Sequence, residues 1–244
     1  MEALKMHNDE RGWLPGVHAA PNIQGDWDSF EIENEATDPD GHIEATMESI
    51  AGWRDRIVLD LGAGTGFYIP LFHKTARHVI AVEPDDSLRL RAMARLAKMD
   101  LKKASVMTGS AERLLLASSS VDIVHARFAY FWGPGCERGL AELERVIRPG
   151  GTAFIIDNDY QNGTFASWVA RSSSSPNRDV EALERFWREH GFKQKRIMSE
   201  LRFKSRDDFE AVIRNEFPLL AEEILTEHRD LTVDYSYYIY HRTY

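Results

Sequence analysis

The chain is short of cysteine, of long apolar runs and of positive charge, and each shortage removes a class of protein. Cys136 is the one cysteine among 244 residues. It cannot close an internal disulfide and suits a reducing, cytoplasmic setting. No stretch approaches the ~18 consecutive apolar residues that span a membrane. The opening Met-Glu-Ala-Leu-Lys-Met-His-Asn-Asp-Glu has neither a basic n-region nor an apolar h-region, so no secretion signal is expected. Thirty Lys and Arg against 39 Asp and Glu leave a net charge of −9, the wrong sign for gripping phosphate backbones. Residues 1–50 hold twelve acids and two bases, a net of −10, so residues 51–244 carry +1. The expectation is an acidic arm on a near-neutral domain, with no nucleic-acid or membrane partner. There is no internal repeat, and the only biased segment is the short serine run Ser172–Ser175 before Pro176.

With a hydrophobic fraction of 43%, the chain can bury a full core as one α/β domain with a small appendage. Residues 1–25 have no clear period and read as a loosely packed arm. The acidic stretch Trp27–Asp40 reads as a solvated face with a few aromatic anchors, or as a flap over a pocket. Ile43, Met47 and Ile50 then mark an amphipathic helix. Apolar runs follow at Arg56–Leu61, His78–Glu83, Ala104–Met107, Val121–Ala126 and Thr152–Ile156. Between them lie helical patterns: Gly66–Thr75, a helix from Asp86 with Leu90, Met93 and Leu96 on one face, and Leu140, Leu143, Val146. Strands alternating with helices mean βαβ crossovers and a parallel sheet, whose ligands sit beyond the carboxyl ends of the strands. Residues 160–178 read as a loop and candidate lid. Val180–Gly191 reads as a helix, Phe192–Phe203 as a strand, Asp207–Asn215 as a helix, and Leu231–Tyr240 as a terminal strand with one wetter face.

Val58-Leu-Asp-Leu-Gly-Ala-Gly-Thr-Gly66 is the most informative stretch. Its glycines allow positive φ and let a ligand lie against bare main chain. The spacing is G-x-G-x-G, not the G-x-G-x-x-G of NAD folds, and Asp60 beside it would oppose a pyrophosphate. A ligand with a cationic centre and an amino-acid tail tolerates that carboxylate.

The stretch resembles the first motif of the class I S-adenosylmethionine (SAM)-dependent methyltransferases, in particular the methyltransferase type 11 group. Ala81-Val-Glu-Pro84 is similar to that family's strand-two acidic motif and Gly109-Ser-Ala-Glu-Arg-Leu114 to its adenine segment. Leu143-Glu-Arg-Val-Ile-Arg-Pro-Gly-Gly151 is similar to its Leu-Lys-Pro-Gly-Gly signature, with Arg for Lys. The resemblance covers residues 45–160. It implies a Rossmann-like, doubly wound, mostly parallel seven-stranded sheet with helices on both faces and the last strand antiparallel. The domain would run over 42–244, after an arm or flap at 1–41. It also implies the cofactor SAM and the residues that would bind it. Gly62, Ala63, Gly64 and Gly66 would lie against the methionine part, with Asp60 toward its ammonium. Glu83 with Pro84 would meet the ribose hydroxyls, and Ala111 and Glu112 the adenine. Backbone near Arg127 would face the amino group.

The methyl acceptor is less legible. Candidates at the mouths of strands four and five are His125, Arg127, Tyr130, Trp132, Asp157, Asp159 and Tyr160. Of these Asp157, His125 and Tyr130 are the candidate catalytic groups, although His125 inside a strand pattern also fits a hydrogen-bonded core residue. The aromatic run Phe128–Trp132 serves packing or walls an acceptor pocket. His125-Ala-Arg-Phe128 stands where amino-group nucleic-acid methyltransferases carry Asn/Asp-Pro-Pro-Phe/Tyr. Gly135, not Pro, precedes Cys136, unlike cytosine-C5 enzymes, and no metal-ligand set can be assigned. The expectation is methyl transfer to a small molecule by a monomer or homodimer. Two alternatives stay open: a non-catalytic module keeping the SAM fold, and an NAD-dependent oxidoreductase.

Overall fold

Five of the apolar runs pair side by side, because a strand buried on both faces must be apolar throughout and a βαβ crossover keeps successive strands parallel. The computed structural model describes residues 26–172 and 179–244. Its strands are β1 (Ile57–Leu61), β2 (His78–Val82), β3 (Ala104–Met107), β4 (Val121–Arg127), β5 (Ile147–Asn158), β6 (Lys193–Arg202) and β7 (Thr232–Thr243). They form one sheet in the order β3-β2-β1-β4-β5-β7-β6. β1 to β5 pair in parallel. β7 runs antiparallel between β5 and β6. The order reverses between β1 and β4, which places a crevice at their carboxyl ends.

The helices are α1 (Trp27–Ala36), α2 (His42–Ile50), α3 (Ile69–His73), α4 (Asp86–Lys98), α5 (Glu137–Val146), α6 (Thr164–Arg171), α7 (Val180–Glu189), α8 (Arg206–Glu216) and α9 (Ala221–Glu227). They split the core in two. Val58, Ile123, Phe154 and Ile156 face Ile43, Met47, Phe72, Trp168, Phe209 and Ile213. Leu59, Val124, Ala153 and Ile155 face Leu140, Leu143, Leu183 and Trp187 on the other side.

Several expectations need correction. Trp27–Ala36 is a helix capped by Asp26, whose side chain accepts from Ser29 N, and it packs on α8. Residues 164–171 of the expected 160–178 loop are also helical, with Phe165 stacked on Tyr235 at 4.2 Å. The remainder of that loop at 173–178, and residues 1–25 of the arm, lie outside the described residues. In α4 the inward stripe is Leu88 and Ala92, while Leu90 and Met93 are exposed. A Cβ on Gly66 would stand 3.1 Å from Ala92 Cβ, so the helix lies on the glycine turn and only a small residue fits between them. β7 has no wetter face along Tyr235–Tyr240, because strands flank it on both sides and helices cover both faces. α3 is shorter than Gly66–Thr75, since Gly66-Phe-Tyr stays in a turn and Pro70 sits in the helix's first turn, where a missing N–H costs nothing. β5 starts at Ile147, so Arg148-Pro-Gly-Gly151 ends α5 and also opens the strand.

Leu143 is fully buried between α5 and the sheet. Leu143→Ala is expected to lower unfolding stability by about 2–5 kcal/mol through the cavity it leaves. Urea denaturation should show an earlier midpoint with an unchanged slope.

Candidate functional site

The reversal of strand order brings the glycine turn after β1 beside the end of β4. Gly62 and Gly64 both have positive φ, +72° and +56°. The N–H groups of Gly62 and Ala63 donate to Val82 O at 2.9 and 3.1 Å, closing the turn onto the end of β2. Gly64 N donates to Glu83 Oε2 at 2.8 Å, and nothing lies within 4 Å of where its Cβ would be. The turn therefore presents an open surface at Gly64. A Cβ on Gly62 would instead strike Ala129 Cβ at 2.4 Å, from the loop after β4.

Glu83 is buried at the end of β2. Its other oxygen accepts from Asp85 N at 2.9 Å, and Arg89 donates to the main-chain oxygens of Glu83 and Pro84 at 2.9 and 3.3 Å. Burial pushes its carboxyl up to about 7, against the pull of those two backbone N–H groups. Ala111 is buried next to Val82 in the same half of the core, and Glu112 accepts from Tyr130 OH at 3.0 Å.

β1 and β4 share a second feature. Asp60 and His125 are partners in register, and Asp60 Oδ1 lies 2.8 Å from His125 Nδ1 with both side chains buried. The carboxylate must accept, so Nδ1 is the protonated nitrogen. Rings of Tyr68 and Phe72 pack on the imidazole at 5.4 and 5.0 Å. Two residues on, Arg127 points to the same face, and its Nη1 meets Glu44 Oε1 at 3.3 Å. Its guanidinium carbon is 4.5 Å from the Tyr68 ring centre, with Phe128 at 5.7 Å and Tyr237 at 5.9 Å. Phe128 and Tyr130 both have positive φ, 50° and 57°, as the chain turns sharply out of β4.

Six buried side-chain polar atoms lack a hydrogen-bond partner among the described residues, and four of them converge here: Asp60 Oδ2, Arg127 Nε and Nη2, and the Tyr237 hydroxyl. Buried polar groups are nearly always paired, so such a concentration makes this face a candidate site.

Helices α1 and α2 roof this region. Glu31 accepts from Arg95 Nη2 at 2.5 Å and from the Thr65 hydroxyl, and Tyr68 OH donates to Asn34 Oδ1 at 3.3 Å. Burial, reinforced by Glu216, holds the Glu33 carboxyl well above the ordinary range. Burial also raises Glu44, against the pull of Arg127.

The candidate catalytic groups do not meet. Asp157 is paired in register with Tyr238 and faces the α5 and α7 side, opposite His125 and Arg127. It accepts from Tyr160 OH at 3.3 Å. Tyr130 packs edge-on to Phe131, on that second side. Asp159 is committed to Arg196 at 2.7 Å and to Ser236 Oγ at 2.9 Å. Residues that sequence reasoning missed are Glu33, Glu44, Tyr68 and Tyr237. The i, i+2 spacing of Tyr235 and Tyr237 would have placed those two on one face. A separate open groove of about 370 Å³ lies between α2 and β6, lined by His42, Ser49, Arg196 and Met198 among others, away from the glycine turn.

Comparison with known proteins bears on the fold and on the segment that carries the motifs. Residues 58–151 match the methyltransferase domain family. A malonyl-[acyl-carrier protein] O-methyltransferase of Pectobacterium atrosepticum is 37% identical over 94 residues, 38% of this chain and 35% of that protein. A ubiquinone/menaquinone biosynthesis C-methyltransferase of Rubrivivax gelatinosus is 28% identical over 151 residues, 55% of this chain and 58% of the relative. A SAM-dependent methyltransferase structure from Aquifex aeolicus superposes with a TM-score of 0.56 at 17% identity, covering 87% of this chain and 97% of the other. The matches span only part of the curated relatives, 40% of their length for the first of them. The sequence matches cover the segment that holds all four motifs, and the structural likeness shows a shared fold.

Glu83 makes the pH dependence of this fold testable. Its folded-state pKa of about 7 lies above the ordinary 4.5, so the stability it contributes is fully present below about pH 4.5. That contribution is lost as pH rises to about 7, because the unfolded chain ionises first. The difference in unfolding free energy between wild type and Glu83→Gln should fall across that window and stay flat outside it. Urea titrations at pH 4.5, 5.5, 7 and 8 measure it, and a difference constant with pH contradicts the raised pKa of this buried carboxyl.

Proposed function

We propose that the chain transfers the methyl group of SAM to a small-molecule acceptor, in the crevice between β1 and β4. The observation that carries this reading is the pairing of an open glycine turn with a buried strand-end carboxylate. Gly64 and Glu83 are bonded to each other, and Asp60 and Arg127, on the two strands that flank the crevice, keep buried polar atoms without a partner among the described residues.

These residues suit the cofactor that the family implies. Asp60 Oδ2 is a buried acceptor without a donor, fit for an ammonium group. Each Glu83 oxygen already accepts one backbone N–H and keeps a second lone pair for a ribose hydroxyl. Ala111 and Glu112, beyond β3, are set to border a base. Bound, the cofactor supplies an electrophilic methyl on a sulfonium. The work left to the chain is to position the acceptor and exclude water. Tyr68, Phe128 and Tyr237 form an aromatic wall on the face that carries Arg127, and α1 and α2 shield it from solvent. No base is assigned, because His125 is tied to Asp60 and Asp157 lies on the other face. The relatives are named as O- and C-methyltransferases, so they leave the accepting atom open. The near-neutral domain and acidic leader favour a small acceptor over nucleic acid, in a cytoplasmic protein that acts as a monomer or homodimer.

S-adenosylhomocysteine should bind in calorimetry, and Glu83→Ala should weaken it by about 1–3 kcal/mol. Ribose hydroxyls donating to Glu83 favour its ionised form, so its pKa falls on binding. A proton should therefore be released at pH 6.5, and affinity should rise with pH through about 7. Binding enthalpies in buffers of different ionisation heat report that proton. Label from methyl-labelled SAM should appear in a small-molecule fraction of a metabolite screen. NADH binding without any response to SAM or its product would reverse the assignment.

A further inference from the structure

Arg127 carries a full positive charge into the interior with half of its donor edge unused. Its side chain is 3% exposed. Nη1 makes the long contact with Glu44, and Nε and Nη2 have no acceptor among the described residues. These two nitrogens are one edge of the guanidinium. Their N–H bonds run parallel, at the spacing of the two oxygens of a carboxylate. The plane is held against the Tyr68 ring at 4.5 Å, so the edge has a defined direction. The hydroxyl of Tyr237, on the same face of the sheet, is also buried without a partner.

Glu44 cannot serve this edge while it sits on Nη1. A guanidinium edge and a phenol left unsatisfied in one aromatic enclosure call for acceptor oxygens from outside the chain. We propose that the Nε/Nη2 edge of Arg127 binds a carboxylate of a ligand in this crevice. The inference rests on the methyltransferase reading for its place and extends it by naming the anionic group recognised. That carboxylate belongs to the methyl acceptor or to the amino-acid end of the cofactor. The register favours the acceptor: Arg127 is opposite Ile156 of β5, and Tyr237 comes from β7, the side away from Glu83 and β2.

The test uses the full chain and four probes: benzoate, its neutral isostere benzamide, S-adenosylhomocysteine, and 5′-methylthioadenosine, which lacks the amino-acid end. Calorimetry is run on wild type, Arg127→Lys, Arg127→Met and the double variant Arg127→Met/Glu44→Gln, which removes the carboxylate left unpaired. If the acceptor supplies the group, benzoate binds the S-adenosylhomocysteine complex at least about tenfold more tightly than benzamide. Both Arg127 variants then lose that preference while keeping S-adenosylhomocysteine affinity within about twofold. If the cofactor supplies it, the variants lose about tenfold or more for S-adenosylhomocysteine and nothing for 5′-methylthioadenosine. Benzoate no tighter than benzamide, with variants that melt cooperatively and bind both nucleosides like wild type, overturns the proposal. Should the variants not fold, the wild-type comparisons decide: benzoate no tighter than benzamide, together with 5′-methylthioadenosine binding as tightly as S-adenosylhomocysteine, overturns the proposal. Should wild type bind neither nucleoside, the methyltransferase reading fails separately, and the same comparison on the free protein still decides the carboxylate site.

Discussion

The hydrogen bond between Asp60 and His125 is the constraint on which the site depends. It ties β1 to β4 at the line where the sheet reverses its order, and it is made in a water-poor interior. Both partners would be costly to bury alone, so each fixes the other. Because Oδ1 is taken by the imidazole, Oδ2 is left buried without a donor among the described residues. Because His125 is held on that face, the residue two further along the strand, Arg127, must share the face. The alternation of a β-strand thus turns one buried pair into a charged lining.

The acidic leader completes that lining. Its net charge reads as solvated when residues are only counted, yet much of it meets counter-charges of the core domain. Glu31 meets Arg95, Glu44 meets Arg127, Asp28 meets Arg91, Asp40 meets Arg202, and Glu35 meets Lys204. The exposed pairs among these are each worth little. Glu31 with Arg95 and Glu44 with Arg127 are better shielded from water and lie against the glycine turn and the end of β4. They decide where α1 and α2 sit. Among the described residues no cation pairs with Glu33, and burial beside Glu216 keeps it well above the ordinary carboxylate range.

What was legible in the sequence follows from how burial writes itself into a chain. Central parallel strands are apolar on both faces, so β1, β2 and β4 read as short continuous runs and the glycine turn stands out at the end of the first. Trp27–Ala36 escaped because its apolar residues do not gather on one stripe; its place comes from charge pairs and from contact with α8, which no local pattern reveals. In α4, Leu90 and Met93 suggested an apolar face that the structure exposes, since the tight approach to Gly66 demands Ala92 inward. β7 looked half wet because Thr232, Asp234 and Ser236 alternate with apolar residues. Thr232 and Asp234 are exposed, but from Tyr235 to Tyr240 every position is buried between two strands, and Tyr235 finds Asn158 as its partner.

The same distinction explains why the cofactor was easier to infer than the chemistry of the acceptor. The residues proposed to meet the cofactor are clustered in sequence around turns, so their spacing is a local signal. The face proposed for the acceptor is assembled from Tyr68 before α3, Glu44 on α2, Arg127 on β4 and Tyr237 on β7, far apart in the chain. Only the sheet order makes them neighbours. What distinguishes Arg127 and Tyr237 physically is unfinished pairing: guanidinium donors and a phenol are buried with no partner among the described residues. A fold tolerates such groups where a ligand can satisfy them, and the alternation of β4 sets Arg127 on the same face as His125.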